Sequence, residues 1–382
     1  MQIAHIPRLA LGLMQKKVKA NKVLLLLGAR RVGKTSLIKE YIKDLDAPLV
    51  LLLNGEDQNV VNAFSSQTVE HFRRLIGKHV YLIIDEAQHI PQIGQKLKLI
   101  VDEIPGIKVI ATGSSVFDLN NKLGEPLVGR QNTLQLFPIA QAELNNVENL
   151  ITTQALLHER LVYGAYPDVL QLSSYDEKAN YLDELVNAYL LKDILVFDGI
   201  KKSDKLLKLL QLIALQLGSE LSVDELAGSI QGISRNTVER YLDLLEKVFV
   251  IYKMGGYSRN LRKEVTKSSK WFFYDNGIRN ALIQNYNALD LRMDTGQLWE
   301  NYLMSERRKH HHYQGNRVSQ YFWRTYDQQE IDLVEEQAGQ LSAYEFKWNR
   351  QKKVKSPAAW TNAYPKADFM LINPDNYLPF VG

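Results

Sequence analysis

The run Val23–Leu27 and the residues after it, Gly28-Ala29-Arg30-Arg31-Val32-Gly33-Lys34-Thr35-Ser36, constrain this chain more than any other stretch. An unbroken apolar run predicts a strand buried on both faces, and such strands belong to parallel sheets covered by helices. The segment that follows matches the pattern G-x-x-x-x-G-K-[ST] without a mismatch. Glycines at both ends let backbone N–H groups turn outward around anionic oxygens, and the helix opening at Gly33 adds its partial positive charge. Lys34 is then placed to reach the β and γ phosphates, and the Thr35 hydroxyl to bind the Mg²⁺ that bridges them. The expected ligand is a nucleoside triphosphate held by Gly28 through Ser36.

Downstream, a helix from Thr35 to about Lys43 and apolar runs at Leu49–Leu53, Val80–Ile84 and Ile107–Ala111 extend the same pattern. In such a sheet the ligand sits at the carboxyl ends of the strands. Asp85 and Glu86 end the third run, which suits a Mg²⁺-positioning aspartate followed by a glutamate that polarises the attacking water. Thr112 and Ser114 end the fourth and are candidates to bind the γ-phosphate or the water. Asn121-Lys122-Leu123-Gly124 lacks the aspartate of a guanine-reading motif, so ATP is expected over GTP. Arg130, after Gly129, is a candidate for stabilising transition-state charge, in its own subunit or in a neighbour's.

Cysteine is absent, which excludes disulfides and thiolate metal sites. No apolar run approaches the roughly 20 residues of a membrane span. The N-terminal residues lack the pattern of a secretory signal, and a cytoplasmic protein is expected. The net charge is only +4, yet residues 254–270 alone hold five bases (Arg259, Arg262, Lys263, Lys267, Lys270) against Glu264.

Beyond Phe137-Pro138 the pattern turns helical, at Gln154–Tyr163, Ala179–Phe197 and Asp204–Leu217, and reads as a lid or packing module. Two short capped helices follow, one from Ser222 and one from Ser234 to about Lys247, joined by a turn at Gly228–Ile233. Two such helices make a helix-turn-helix, whose second helix suits the DNA major groove. Arg235, Asn236, Thr237 and Arg240 are the candidate groove residues. A hairpin of Val248–Lys253 and Trp271–Tyr274 turns the unit into a winged helix, with Arg259, Arg262 and Lys263 as further DNA contacts. A role in protein packing alone stays open for this module.

The last segment reads α-β-β-β-α-β from Gly296 onward. Strand alternation places Glu345 and Lys347 on one face, with Asp332 on the neighbouring strand and Glu300 on the helix above. Carboxylates that hold a divalent metal beside a lysine suit phosphodiester cleavage. A salt-bridged sheet face is the alternative. His310-His311-His312 point about 100° apart on a helix and read as a solvated helix end.

Taken together, these residues resemble a prokaryotic group of AAA+ superfamily ATPases. In that group a nucleotide domain precedes a winged helix and a C-terminal domain of unknown function similar to PD-(D/E)XK nucleases. The resemblance is carried by Gly28–Thr35, Leu82–Glu86, Thr112–Ser115, Gly129-Arg130, Pro138, Gly164–Pro167, Lys192-Asp193-Ile194, Ser234–Leu242, Tyr274–Gly277, Trp323-Arg324, Glu330-Ile331-Asp332 and Glu345-Phe346-Lys347. Ala29 departs from it, since the group often has proline there; backbone amides do the binding, so no consequence is expected. The resemblance implies an α/β fold: a P-loop NTPase parallel sheet with a helical lid, then a winged helix-turn-helix and a small α/β restriction-endonuclease-like domain. The expected divisions are 1–137, 138–203, 204–290 and 291–382. ATP and Mg²⁺ are the expected cofactors, with a second divalent metal in the C-terminal domain if that site is active. The lead expectation is a Mg²⁺-dependent ATPase with a DNA-linked output. The alternatives are an ATP-gated metal-dependent nuclease and a nucleotide-dependent switch acting on a protein partner, with oligomerisation left open.

Overall fold

The computed structural model describes residues 5–114, 127–190, 203–258 and 269–382. The apolar runs become the strands of a five-stranded sheet: β1 (Lys22–Leu27), β2 (Val50–Asn54), β3 (Tyr81–Asp85), β4 (Lys108–Gly113) and β5 (Gln131–Gln135). Their order is β2-β3-β4-β1-β5, with parallel pairing throughout. β1 is buried from Val23 to Leu27, as its unbroken apolar run requires. β5 was not expected, because its sequence Gln-Asn-Thr-Leu-Gln has no apolar run; as an edge strand it needs to bury little more than Leu134. Parallel pairing brings the carboxyl ends of β1, β4 and β3 together on one side. Helix α1 (Lys34–Lys43) leaves β1 there and buries Leu37, Ile38 and Tyr41.

The chain divides into two compact units. One holds residues 7–138 with Lys247–Phe249, and the other holds the remainder. The helical, paired-helix and C-terminal regions expected as separate domains thus share one unit.

In that second unit, α2 (Leu150–Tyr163) and α3 (Ser203–Leu215) precede a short strand, β6 (Glu220–Leu221). Helices α4 (Val223–Ser229) and α5 (Arg235–Lys247) follow, then β7 (Ile251–Met254) and β8 (Ser269–Phe273). The three strands form an antiparallel sheet in the order β6-β8-β7. Ser222 caps α4 by accepting from Glu225 N–H, as its capping pattern predicts.

Helix α6 (Asn276–Leu282) joins this sheet to α7 (Thr295–Gln314), β9 (Ser319–Arg324), β10 (Glu330–Gln337), β11 (Gln340–Phe346), α8 (Ala358–Ala363) and β12 (Asp368–Ile372). The expected α-β-β-β-α-β order is present from α7 onward. The sheet runs β12-β11-β10-β9, and β12 pairs parallel to β11. The chain leaving β7 adds to its β9 edge: Tyr257 N–H donates to Phe322 O (2.6 Å) and Phe322 N–H to Gly255 O (3.1 Å). Tyr257 then packs its ring against Tyr321, Trp360 and Tyr364.

Two short motifs meet in the interior of this unit. Asp275, wholly buried, caps α6 by accepting from Gly277 and Ile278 N–H, and also accepts from Ala165 N–H (2.7 Å). A Cβ at Gly164 would collide with that carboxylate, and one at Gly277 with the Tyr163 carbonyl. Among the described residues, no helix is long and apolar enough to cross a membrane.

Candidate active site

The phosphate loop takes the shape its glycines permit. Gly28 follows β1 where a Cβ would collide with the Leu136 carbonyl oxygen. Gly33, at φ 96°, occupies the left-handed region and precedes α1 with no side-chain cap. The first-turn N–H groups of α1 are thereby left for an anion. Lys34 is buried, and its ammonium donates to the carbonyls of Gly28 (3.0 Å) and Ala29 (3.1 Å). Ala29, Arg30, Arg31 and Val32 complete the loop, with Arg31 also left-handed at φ 64°.

Opposite the loop, Asp85 is held from two sides. The Thr35 hydroxyl donates to one carboxylate oxygen (2.6 Å) and the Thr112 hydroxyl to the other (2.5 Å). Thr112 also accepts from Glu86 N–H (2.9 Å), so a single hydroxyl ties the end of β4 to both acids. Glu86 sits at φ 49°, ψ 45°, a conformation costly for a side chain of its size. Its carboxylate accepts from Gln88 (2.5 Å), and Gly55 N–H donates to the Asp85 carbonyl (2.8 Å). A Cβ at Gly55 would collide with the Glu86 carbonyl. Thr112 was anticipated as a phosphate contact; here it positions the acids. Gly55 and Gln88 were missed, because nothing in their own sequence segments points to Glu86. Ser114 is buried one residue beyond Gly113, which pairs with Leu27, so it lies level with the start of the loop. Ser36 lies in the first turn of α1.

Arg130 lies at the other end of the sheet. Its carbonyl accepts from Val23 N–H (2.9 Å), at the amino end of β1, and its guanidinium pairs with Asp102. The length of β1, roughly 17 Å, separates it from the loop. Within one subunit Arg130 therefore stands away from the phosphate loop, at the opposite end of β1.

Residues 20–145 match the model of the AAA domain. The match spans the loop, both acids and Arg130. Residues 154–289 and 295–379 match two further models, each described as a domain of unknown function (DUF8612 and DUF4143). Similar proteins include an uncharacterized protein of Haemophilus influenzae, 26% identical over 285 residues (68% of this chain, 69% of that one). Another, from Mycobacterium tuberculosis, is 26% identical over 328 residues (85% and 70%). Among solved structures, AMPPCP-bound DnaA from Aquifex aeolicus is 15% identical, covers 64% of this chain and 89% of its own, and has a TM-score of 0.32.

The second cluster lies in the carboxyl-terminal unit. Glu300, Asp332, Glu345 and Lys347 line one cavity of about 430 Å³, as alternation and helix placement predict. Two further charges line it, Glu330 and Lys270. Lys347 pairs with Glu345 (2.5 Å), and Asp332 accepts from Phe346 N–H (2.7 Å). Burial raises the pKa of Glu300 to about 8 and pushes Asp332 and Glu345 upward, with neighbouring carboxylates adding to the effect. Among the described residues, no three carboxylate or imidazole groups stand where they could hold a metal ion.

Two sequence readings need correction, those of Lys270 and His311. Lys270 does not belong to an exposed basic wing: it is 2% exposed and lies over the Phe322 ring, among carboxylates. Arg235, a candidate groove residue, is exposed and paired with Asp224 (2.7 Å) and Glu239 (3.1 Å). Thr237 is turned to Ser234 in the first turn of α5 (2.8 Å). Asn236 and Arg240 share that helix, but Val223–Lys247 holds five acids (Asp224, Glu225, Glu239, Asp243, Glu246) against three bases (Arg235, Arg240, Lys247), a poor match to phosphate. Arg259, Arg262 and Lys263 lie outside the described residues, as do Ser115 and Lys192-Asp193-Ile194. His311, expected to be solvated, is buried and bonded through Nε2 to Glu335 (2.7 Å).

Proposed function

We propose that this protein binds ATP with Mg²⁺ and hydrolyses it. The observation that carries this reading is the Thr35–Asp85–Thr112 chain of hydrogen bonds, which joins α1, β3 and β4 beside the uncapped start of a helix. The residues fit the ion: a hydroxyl and a carboxylate, the donor set expected for Mg²⁺ beside phosphates, already stand 2.6 Å apart. Thr35 and Asp85 would hold it, and the bound ion would supply charge neutralisation across the β and γ phosphates. The loop amides and Lys34 bind and orient the phosphates. Glu86 takes a proton from the attacking water, with its main chain fixed by Thr112 and its carboxylate by Gln88. Ser114, at the same sheet end, takes the role of a γ-phosphate contact. Arg130 serves a neighbouring copy.

ATP turnover tests this assignment. Lys34→Ala should abolish nucleotide binding. Glu86→Gln should bind ATP and lose about 10²–10⁴-fold in turnover. Normal turnover in Glu86→Gln would sink the role given to it.

A DNA-linked output rests on two supports. The helix, strand and hairpin order of Ser203–Phe273 supports a winged-helix reading, and the run of bases at Arg259, Arg262 and Lys263 suits a nucleic-acid backbone. A second reading, phosphodiester cleavage in the carboxyl-terminal unit, is favoured by the convergence of Glu300, Asp332, Glu345 and Lys347 on one cavity. Divalent-dependent cutting of DNA that disappears in Asp332→Ala supports it. Cutting that survives the change points to a contaminant.

A further inference from the structure

The carboxylates of the second cavity are of the kind that hold a divalent ion, yet as placed no three of them do so among the described residues. A lysine from another part of the chain stands among them. Lys270 stands on β8, within the segment that matches the first domain of unknown function, while Glu300, Glu330, Asp332 and Glu345 belong to the next. Its side chain is 3% exposed and its ammonium contacts Glu330 and Glu300, the latter at 3.4 Å. Lys347 holds Glu345 in the same way. Two ammonium groups thus face four carboxylates, which leaves the ionised cavity at about −2, the charge one divalent cation balances.

A buried lysine this well surrounded needs a reason to be where it is. Its ammonium lies over the ring of Phe322, 5.5 Å from the centroid, and β8 pairs with both β6 and β7, so its position is fixed by the sheet. The stretch after β7 is in turn bonded to the β9 edge, which keeps the β7–β8 hairpin registered on the carboxyl-terminal domain. We propose that Lys270 is a built-in counter-ion of this cavity: its ammonium holds Glu300 and Glu330 where they would otherwise turn to a divalent metal, and so keeps metal affinity low while β8 is in place. The proposal shares with the nuclease reading only the premise that these carboxylates can take a divalent cation.

Two positive species compete for the same carboxylates, so removing one must favour the other. Lys270→Met keeps an unbranched side chain of similar length and deletes the charge. In the full chain at neutral pH, calorimetric titration with Mn²⁺ should show at least tenfold tighter binding in Lys270→Met than in the wild type. Lys270→Arg should stay as weak as the wild type, and Lys270→Met/Glu300→Gln should lose the gain. Unchanged or weaker Mn²⁺ binding in Lys270→Met overturns the proposal. Should Lys270→Met not fold in metal-free buffer, Mn²⁺ must restore it with a Tm that rises with Mn²⁺ concentration; failure to do so overturns the proposal equally. The readout is binding, not cleavage. Tighter Mn²⁺ without DNA cutting would therefore end the nuclease reading and leave the counter-ion standing.

Discussion

At the scale of single residues, the nucleotide site turns on Thr112. Its hydroxyl donates to Asp85 and accepts from the Glu86 main chain, so it fixes the two acids relative to each other. Thr112→Val keeps the shape and deletes both bonds. A buried acceptor and donor left unmatched cost about 1–3 kcal/mol, so thermal unfolding of the variant should begin at a lower temperature. Turnover should fall about tenfold or more while ATP binding, made mostly by the loop, changes little. If turnover in Thr112→Val stays at the wild-type rate, the acids are positioned without it. The sequence made Lys34, Thr35, Asp85 and Glu86 legible because their chemistry depends on spacing along one strand–loop–helix unit. It did not make Thr112's actual role legible, because that requires knowing that β4 lies between β1 and β3. Lys270 was misread for the same reason: among neighbouring bases in the sequence it looks like surface charge, and only the pairing of β8 turns it inward.

Elements show the same division between local and distant information. The apolar strands and capped helices could be read locally, whereas the edge strand β5, all polar but for Leu134, could not. The three histidines of α7 are instructive. Counting 100° per residue argues against three ligands on one metal, yet it says nothing about what packs on the helix. His311 and Arg307 of α7 reach Glu335 on β10, which also accepts from Gln320 on β9. Burial alone would raise the pKa of Glu335, but the bonds from His311 and Arg307 outweigh it and bring it from 4.5 to about 2. A carboxylate held lower in the folded state stabilises that state above the unfolded value, and the contribution fades as pH falls from about 4.5 to 2. It amounts to roughly 3 kcal/mol. Glu335→Gln should be less stable than the wild type at pH 7 in urea, with the gap closing as the titration is carried into that acid window. A gap that stays constant down to pH 2 would show that the ion cluster does not join α7 to its sheet.

At the scale of the whole molecule, the position of Arg130 makes a claim about assembly. The sheet is parallel, its phosphate loop leaves one end, and Arg130 stands at the other, exposed enough to be 40% accessible in its side chain and steadied by Asp102. No rearrangement that preserves β1 brings it to its own loop. An arginine that contributes to catalysis from there must do so in a second copy of the chain, and that contribution must depend on protein concentration. Turnover per chain should therefore rise with concentration in the wild type and remain at the dilute value in Arg130→Ala, with ATP binding unaltered in both. Asp102→Ala, which frees the guanidinium without deleting it, should retain the rise. If wild type and Arg130→Ala follow the same curve, the arginine is a surface ion pair and no more, and hydrolysis is the work of one chain.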